Sequence, residues 1–127
     1  MPEHLFEYAV VRVVPKVERE EFLNAGIILL CTERKFLDVR VVINAERLYS
    51  FCPAADVEVL SQHIKSFQLI AMGGIAGGPI GLLGLRERFR WLTASRSTII
   101  QTSRVHPGLC VDPQEMLDRL YRELVEC

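Results

Sequence analysis

Residues 25–31 form a continuous apolar run, AGIILLC. Seven residues suffice for a strand and fall short of a stable helix, and no polar side chain alternates among them. Such a strand has no face to offer water, so it belongs in the middle of a sheet with both faces covered. The rest of the chain has to supply its neighbours and its cover.

The flanking segments read as those neighbours. Phe6 to Val14 is rich in β-branched and aromatic residues and is closed by Pro15, which predicts a strand. Lys16 to Leu23 is charged and reads as a turn or a short helical piece. After a four-residue connection, Thr32 to Lys35, the segment from Phe36 to Ile43 alternates. Leu37, Val39, Val41 and Ile43 fall on one side, Asp38 and Arg40 on the other. This pattern predicts a half-solvated strand that pairs with the apolar run as an antiparallel hairpin. Ser97 to Ser103 reads as a further strand, and His106-Pro107-Gly108 as a turn.

Helical spacing takes over after Pro53. Val57, Leu60, Ile64, Phe67 and Ala71 make one apolar stripe, with Asp56 as N-cap and Gly73 and Gly74 as the stop. The last helix is announced by Asp112 as cap, Pro113 in the first turn and Glu115 three residues after the cap. Met116, Leu117, Leu120, Tyr121, Leu124 and Val125 give it a buried face. The expected fold is therefore one α+β domain over residues 1–127. It has a small, mostly antiparallel sheet of three to four strands, with two main helices packed on one face.

Composition narrows the function classes. The formal net charge is −1 over 127 residues, which argues against a surface that coats nucleic acid throughout. The four cysteines, Cys31, Cys52, Cys110 and Cys127, show no CxxC pair and no metal spacing, so no metal is expected and a reducing cytoplasm suits them. No cofactor motif is present. The first residues, MPEHLFE, lack the basic stretch and apolar core of a secretion signal. Leu69 to Leu85 is uncharged and has GxxxG spacings, but it is shorter than the ~20 residues a bilayer needs and is broken by glycines and Pro79, so no membrane span is expected.

The strongest functional signal is residues 86–106. Arg86, Arg88, Arg90, Arg96 and Arg104 stand there against one acid, Glu87, interleaved with hydroxyls that include Ser97 and Thr98. Guanidinium forks beside short hydroxyls suit a phosphate or a partner's carboxylates. As a helix, the segment puts Arg86 and Arg90 on one face with Phe89 and Leu92 towards the core. As a strand, it aligns Arg86, Arg88 and Arg90. The purely structural alternative is a basic face paired with the carboxylates at 112, 115 and 118. The preceding glycine-rich loop, residues 73–84, lacks the lysine and Ser/Thr of a P-loop and follows a helix rather than a strand. It reads as a tight connector whose isoleucines and leucines tuck against the core, or as a mobile flap in which Gly77 and Gly78 are candidate contacts. His106 is a turn-stabilising residue, a ligand contact or a proton carrier. Glu21 and Asn24, at the entry to the apolar strand, are candidates for polar contacts there.

These segments carry a resemblance. ERFRWLTASRSTIIQ (87–101), VHPGL (105–109), EFLNAGIIL (21–29) and GPIG (78–81) resemble the DUF3037 family of bacterial proteins of unknown function, nearly over the full length. The resemblance implies no activity, cofactor or catalytic residue. It adds weight to Arg88, Arg90, Arg96, Ser97, Thr98, His106, Glu21 and Asn24. Members encoded beside a HipA-like kinase would imply a protein partner, with a kinase of that kind as one candidate.

Three readings result. The first is a small cytoplasmic accessory protein that binds a protein partner through the arginine segment and glycine loop. The second is a nucleic-acid or nucleotide-phosphate module, and the third an enzyme on a phosphorylated substrate with His106 or Glu21 carrying the proton. The first is preferred, because near-neutral charge and the lack of a catalytic constellation weigh against the others. Homo-oligomerisation stays open.

Overall fold

A computed structural model describes residues 1–126. Strands β1 (His4–Val13), β2 (Leu23–Cys31) and β3 (Phe36–Val41) form an antiparallel meander, with β2 pairing along its length with both neighbours. Two further strands, β4 (Ile100–Thr102) and β5 (His106–Cys110), both pair antiparallel with the other side of β1. The sheet thus has five strands, with β1 and β2 inside it. Helices α1 (Ala45–Phe51), α2 (Val57–Met72), the single turn α3 (Gly78–Gly81) and α4 (Leu85–Thr93) lie between β3 and β4. Helix α5 (Pro113–Tyr121) runs into a π-helical turn over Arg122–Glu126.

Side-chain alternation sorts the central strands into two cores. Ala9, Val11 and Val13 of β1, with Ile28 and Leu30 of β2, pack under Leu48 of α1, Leu60, Ile64 and Ile70 of α2 and Phe89 and Leu92 of α4. The intervening residues Phe6, Val10, Ile27, Leu29 and Cys31 pack on the opposite face against Leu117 and Tyr121 of α5. The α+β class and the antiparallel hairpin agree with the sequence reading. The cover does not: helices occupy both faces of the sheet, not one. The apolar run in β2 already required this, since residues 25–31 are all buried. The polar side of β3, expected to face solvent, meets α5 instead. Arg40 donates to Asp118 at 3.1 Å and lies 4.3 Å over the Tyr121 ring.

Two local features were not expected, and a third decides between stated alternatives. Helix α1 starts at Asn44, whose side chain accepts from the Arg47 N–H at 3.0 Å. The arginine segment resolves as helix α4, the alternative that puts Arg86 and Arg90 on one face. His106-Pro107-Gly108 is part of a strand rather than a turn. Pro107 is tolerated because β5 pairs only on its β1 side, leaving an edge where a missing N–H costs nothing. Gly108 is needed because a Cβ there would stand 2.5 Å from the Phe6 ring.

Between β4 and β5, Ser103, Arg104 and Val105 oppose only Ala9 and Val10 of β1, a one-residue bulge. Ser103 repairs the ladder. Its N–H donates to the Val10 carbonyl and its Oγ accepts from the Val10 N–H, both at 2.8 Å. Ser103→Ala leaves the Val10 N–H unpaired inside the sheet, and equilibrium denaturation should show a loss of about 1–3 kcal/mol. An unchanged midpoint would mean that another group takes over this bond.

Candidate functional site

Helix α4 disperses the arginines. Its apolar residues Phe89 and Leu92 point into the core, which leaves Arg86 and Arg90 exposed and turns Arg88 inward. Arg88 is 8% exposed. Its Nε donates to the Leu83 carbonyl at 3.0 Å, and its Nη1 donates to the carbonyls of Ile70 and Ala71 at 3.1 and 2.7 Å. Those two carbonyls belong to the last turn of α2; the Ile70 carbonyl also accepts from the Gly73 N–H at 3.1 Å, whereas the Ala71 carbonyl lies beyond the helical N–H ladder. Gly73 ends the helix at φ 81°, and a Cβ there would lie 2.8 Å from Arg88 Nη1. Arg88, one of the surface candidates, is therefore an interior residue that fastens the end of α2 to the loop before α4.

The glycine loop is closed rather than slack. The Gly74 N–H donates to the Gly81 carbonyl at 2.8 Å, and the Gly77 N–H to the Gly74 carbonyl at 3.1 Å. A Cβ on Gly81 would sit 2.4 Å from the Gly74 carbonyl oxygen, and one on Gly77 would press on the α2 backbone at Leu69 and Ile70. Gly78 has φ 68° with open space around it. The apolar side chains do not all tuck inward. Ile80 packs against the core, whereas Met72, Ile75 and Leu82 are 75%, 88% and 67% exposed. Helix α4 follows at once, and Arg86 and Arg90 make no side-chain hydrogen bond or ion pair among the described residues. Of the three carboxylates proposed as their alternative partners, Asp118 holds Arg40 and Asp112 caps α5, and Glu115 makes no ion pair among the described residues.

Arg96 lies beyond the helix. Its guanidinium stacks 4.1 Å over the Trp91 ring and its Nη2 donates to the Trp91 carbonyl. On the other side of Gln101 is Arg12 of β1, lying 4.1 Å over the Phe22 ring. The two arginines line one cleft of about 360 Å³ with Ser95, Ser97 and Gln101. Thr98 lines the adjoining cleft towards α2, and its carbonyl accepts from Gln101 at 2.8 Å. Arg86 lies apart, beside Thr32 and Lys35 at the β2–β3 turn.

A family model described as a protein of unknown function (DUF3037) matches residues 8–125. The chain belongs to the DUF3037 family. No curated protein and no solved structure matches it. Among the described residues, no helix is long and apolar enough to cross a membrane.

The other candidates of this DUF3037 chain do not join the arginines. His106 pairs with Tyr8 across the β1–β5 ladder, their rings 5.3 Å apart. Glu21 is exposed and bonded to Arg19, whose guanidinium holds the Glu21 carboxyl below its usual range. Asn24 donates to the Leu124 carbonyl at 3.2 Å, tying β2 to the C-terminal turn, while its Oδ1 is buried without a partner. The three histidines stand apart: His4 on Glu33, His63 on the Val59 carbonyl, His106 on Tyr8. Cys31, Cys52 and Cys110 are free thiols, and burial pushes the Cys110 thiol up; Cys127 lies outside the described residues. Sequence reasoning missed Arg12 and Phe22, which sit on different strands and loops from the arginine segment. A positive residue breaking the apolar alternation of β1 was the one available signal.

Arg88 and Arg90 should separate cleanly on mutation. Arg88→Ala removes three charge-assisted bonds and leaves helix-end carbonyls buried, so unfolding free energy should fall by about 2–4 kcal/mol. Arg88→Lys should recover little, since one ammonium cannot span three carbonyls on two segments. Arg90→Ala should stay within about 0.5 kcal/mol of the parent. Equal losses at both positions would contradict this assignment.

Proposed function

We propose that this DUF3037 protein is a small cytoplasmic accessory protein that docks onto a protein partner through the closed glycine loop and the outer face of α4. The observation that carries the reading is the exposure of Met72 at the end of α2 and of Ile75 and Leu82 on the loop closed by the Gly74–Gly81 bond, with Arg88 fastening the helix end. Exposed apolar side chains on a rigid support mark interaction surfaces more often than isolated surface leucines do. Arg86 and Arg90 flank them without internal partners, which favours a partner surface that is apolar at its centre and acidic at its edge. A HipA-like kinase is the first partner to test.

The same geometry weakens the nucleic-acid reading. Arg88 is withdrawn into the interior, and Arg86 and Arg96 line different clefts, so no continuous row of guanidiniums follows a phosphate backbone. An enzymatic role for His106 or Glu21 gains no support, since neither meets an acid–base companion in a cleft with the arginines.

The test is Ile75→Asp combined with Leu82→Asp. Both side chains are exposed, so the melting temperature should hold within a few degrees. Titration calorimetry against the kinase, or against a stoichiometric polypeptide captured from native extract and then purified, should show binding at least about tenfold weaker than the parent. Affinity that survives both charges, or capture of nucleic acid with steep salt dependence in place of a polypeptide, would overturn the reading.

A further inference from the structure

We propose that the cleft between β1 and the segment after α4 is a binding site for a phosphate monoester, built from Arg12, Arg96, Ser95 and Ser97. The argument begins with Arg12. Its side chain rises from an interior strand beside a bulge in the β1–β2 ladder, flanked by Asn24 on one side and Gln101 on the other. Its guanidinium makes no hydrogen bond within the described residues, and its Nε is buried without a partner. A guanidinium N–H withdrawn from water without an acceptor is costly unless something from outside completes the group.

Arg96 faces the same cleft from the opposite chain segment. Only its Nη2 is engaged, by the Trp91 carbonyl, so its remaining N–H groups have no internal acceptor. Each guanidinium lies over a ring, Arg12 over Phe22 and Arg96 over Trp91, with Cζ 4.1 Å from the ring centroid in both cases. A cation–π contact of this kind restrains the guanidinium and leaves N–H groups to donate. Ser95 and Ser97 line the same cleft. The Gln101 amide is already committed to the Thr98 carbonyl and so shapes the loop rather than the ligand.

This donor set identifies the ligand chemistry. Two forks and two hydroxyls offer more donors than a planar carboxylate can accept, and they suit the three terminal oxygens of a phosphate monoester. Glu20 is the one carboxylate in the lining and is exposed. It leaves the cleft with one net positive charge, so a dianion is still attracted. The volume, about 360 Å³, holds a phosphoryl group with a small alcohol moiety. This site is separate from the glycine-loop surface and stands or falls independently of it.

The experiment is an NMR titration that follows backbone amides and arginine Nε–H signals at constant ionic strength, with sodium chloride as the control. The probes are inorganic phosphate, phosphoserine, glycerol 3-phosphate and adenosine monophosphate. Saturable shifts at Arg12, Arg96 and Ser97 are expected with at least one ester and not with chloride, and the tightest ester indicates whether the phosphate comes from a side chain, a small metabolite or a nucleotide. Arg96→Gln should weaken that binding at least about tenfold, and Glu20→Gln should strengthen it. Both positions are exposed, so neither result depends on the folding of an Arg12 variant. Shifts reproduced by chloride, or affinity unchanged by Arg96→Gln, would overturn the site.

Discussion

Arg88 is the interaction on which the rest of the α4 side of the molecule depends. A buried guanidinium with no carboxylate beside it would ordinarily be costly. Here the charge faces the C-terminal end of α2, where the last carbonyls carry the negative end of the helix dipole. One side chain thus bonds two carbonyls at the end of α2 and a third on the loop at Leu83. Gly73 is the complement to that arrangement. It supplies a left-handed φ to end the helix, and the absence of a side chain makes space for the guanidinium.

From that point the glycine loop follows. With the end of α2 and the start of α4 fastened together, the residues between them must turn back within a small radius. Gly74 and Gly81 allow the two ends of the loop to touch backbone to backbone. A loop folded so tightly has little interior of its own, so Ile75 and Leu82 are left outside even though they are apolar. The exposed apolar surface and the buried charge are two consequences of one closure. Rigidity at such a surface matters for binding, because little conformational freedom is left to lose when a partner docks.

Much of the sheet was legible in the sequence. The apolar run at 25–31, the alternation at 36–43 and the cap signals at Asp56 and Asp112 each correspond to an element in the expected place. What was lost lay in long-range competition. Pro107 and Gly108 carry the local signature of a turn, yet pairing with β1 and packing on Phe6 draw them into a strand. The number of faces covered was implied by β2, but the polar residues of β3 pointed the other way until Arg40 found Asp118 on α5. The arginine segment could be counted from sequence and not resolved. Whether Arg88 is a surface contact or an interior clamp depends on three carbonyls, two of them some seventeen residues earlier in the chain.

The arginines of this chain therefore divide by what surrounds them rather than by where they fall in the sequence. Arg88 is turned inward, with its Nε and Nη1 donors committed to backbone carbonyls. Arg40 is paired with the Asp118 carboxylate and lies over the Tyr121 ring. Arg12 and Arg96 are restrained but unfinished, each lying over an aromatic ring while donating little or nothing to the described residues. Orientation without completion is what a recognition site requires, since the entropy of placing the fork has been lost before the anion arrives. Arg86 and Arg90 carry neither constraint among the described residues, and exposed, solvated guanidiniums suit the edge of a protein interface better than the floor of a small-anion site.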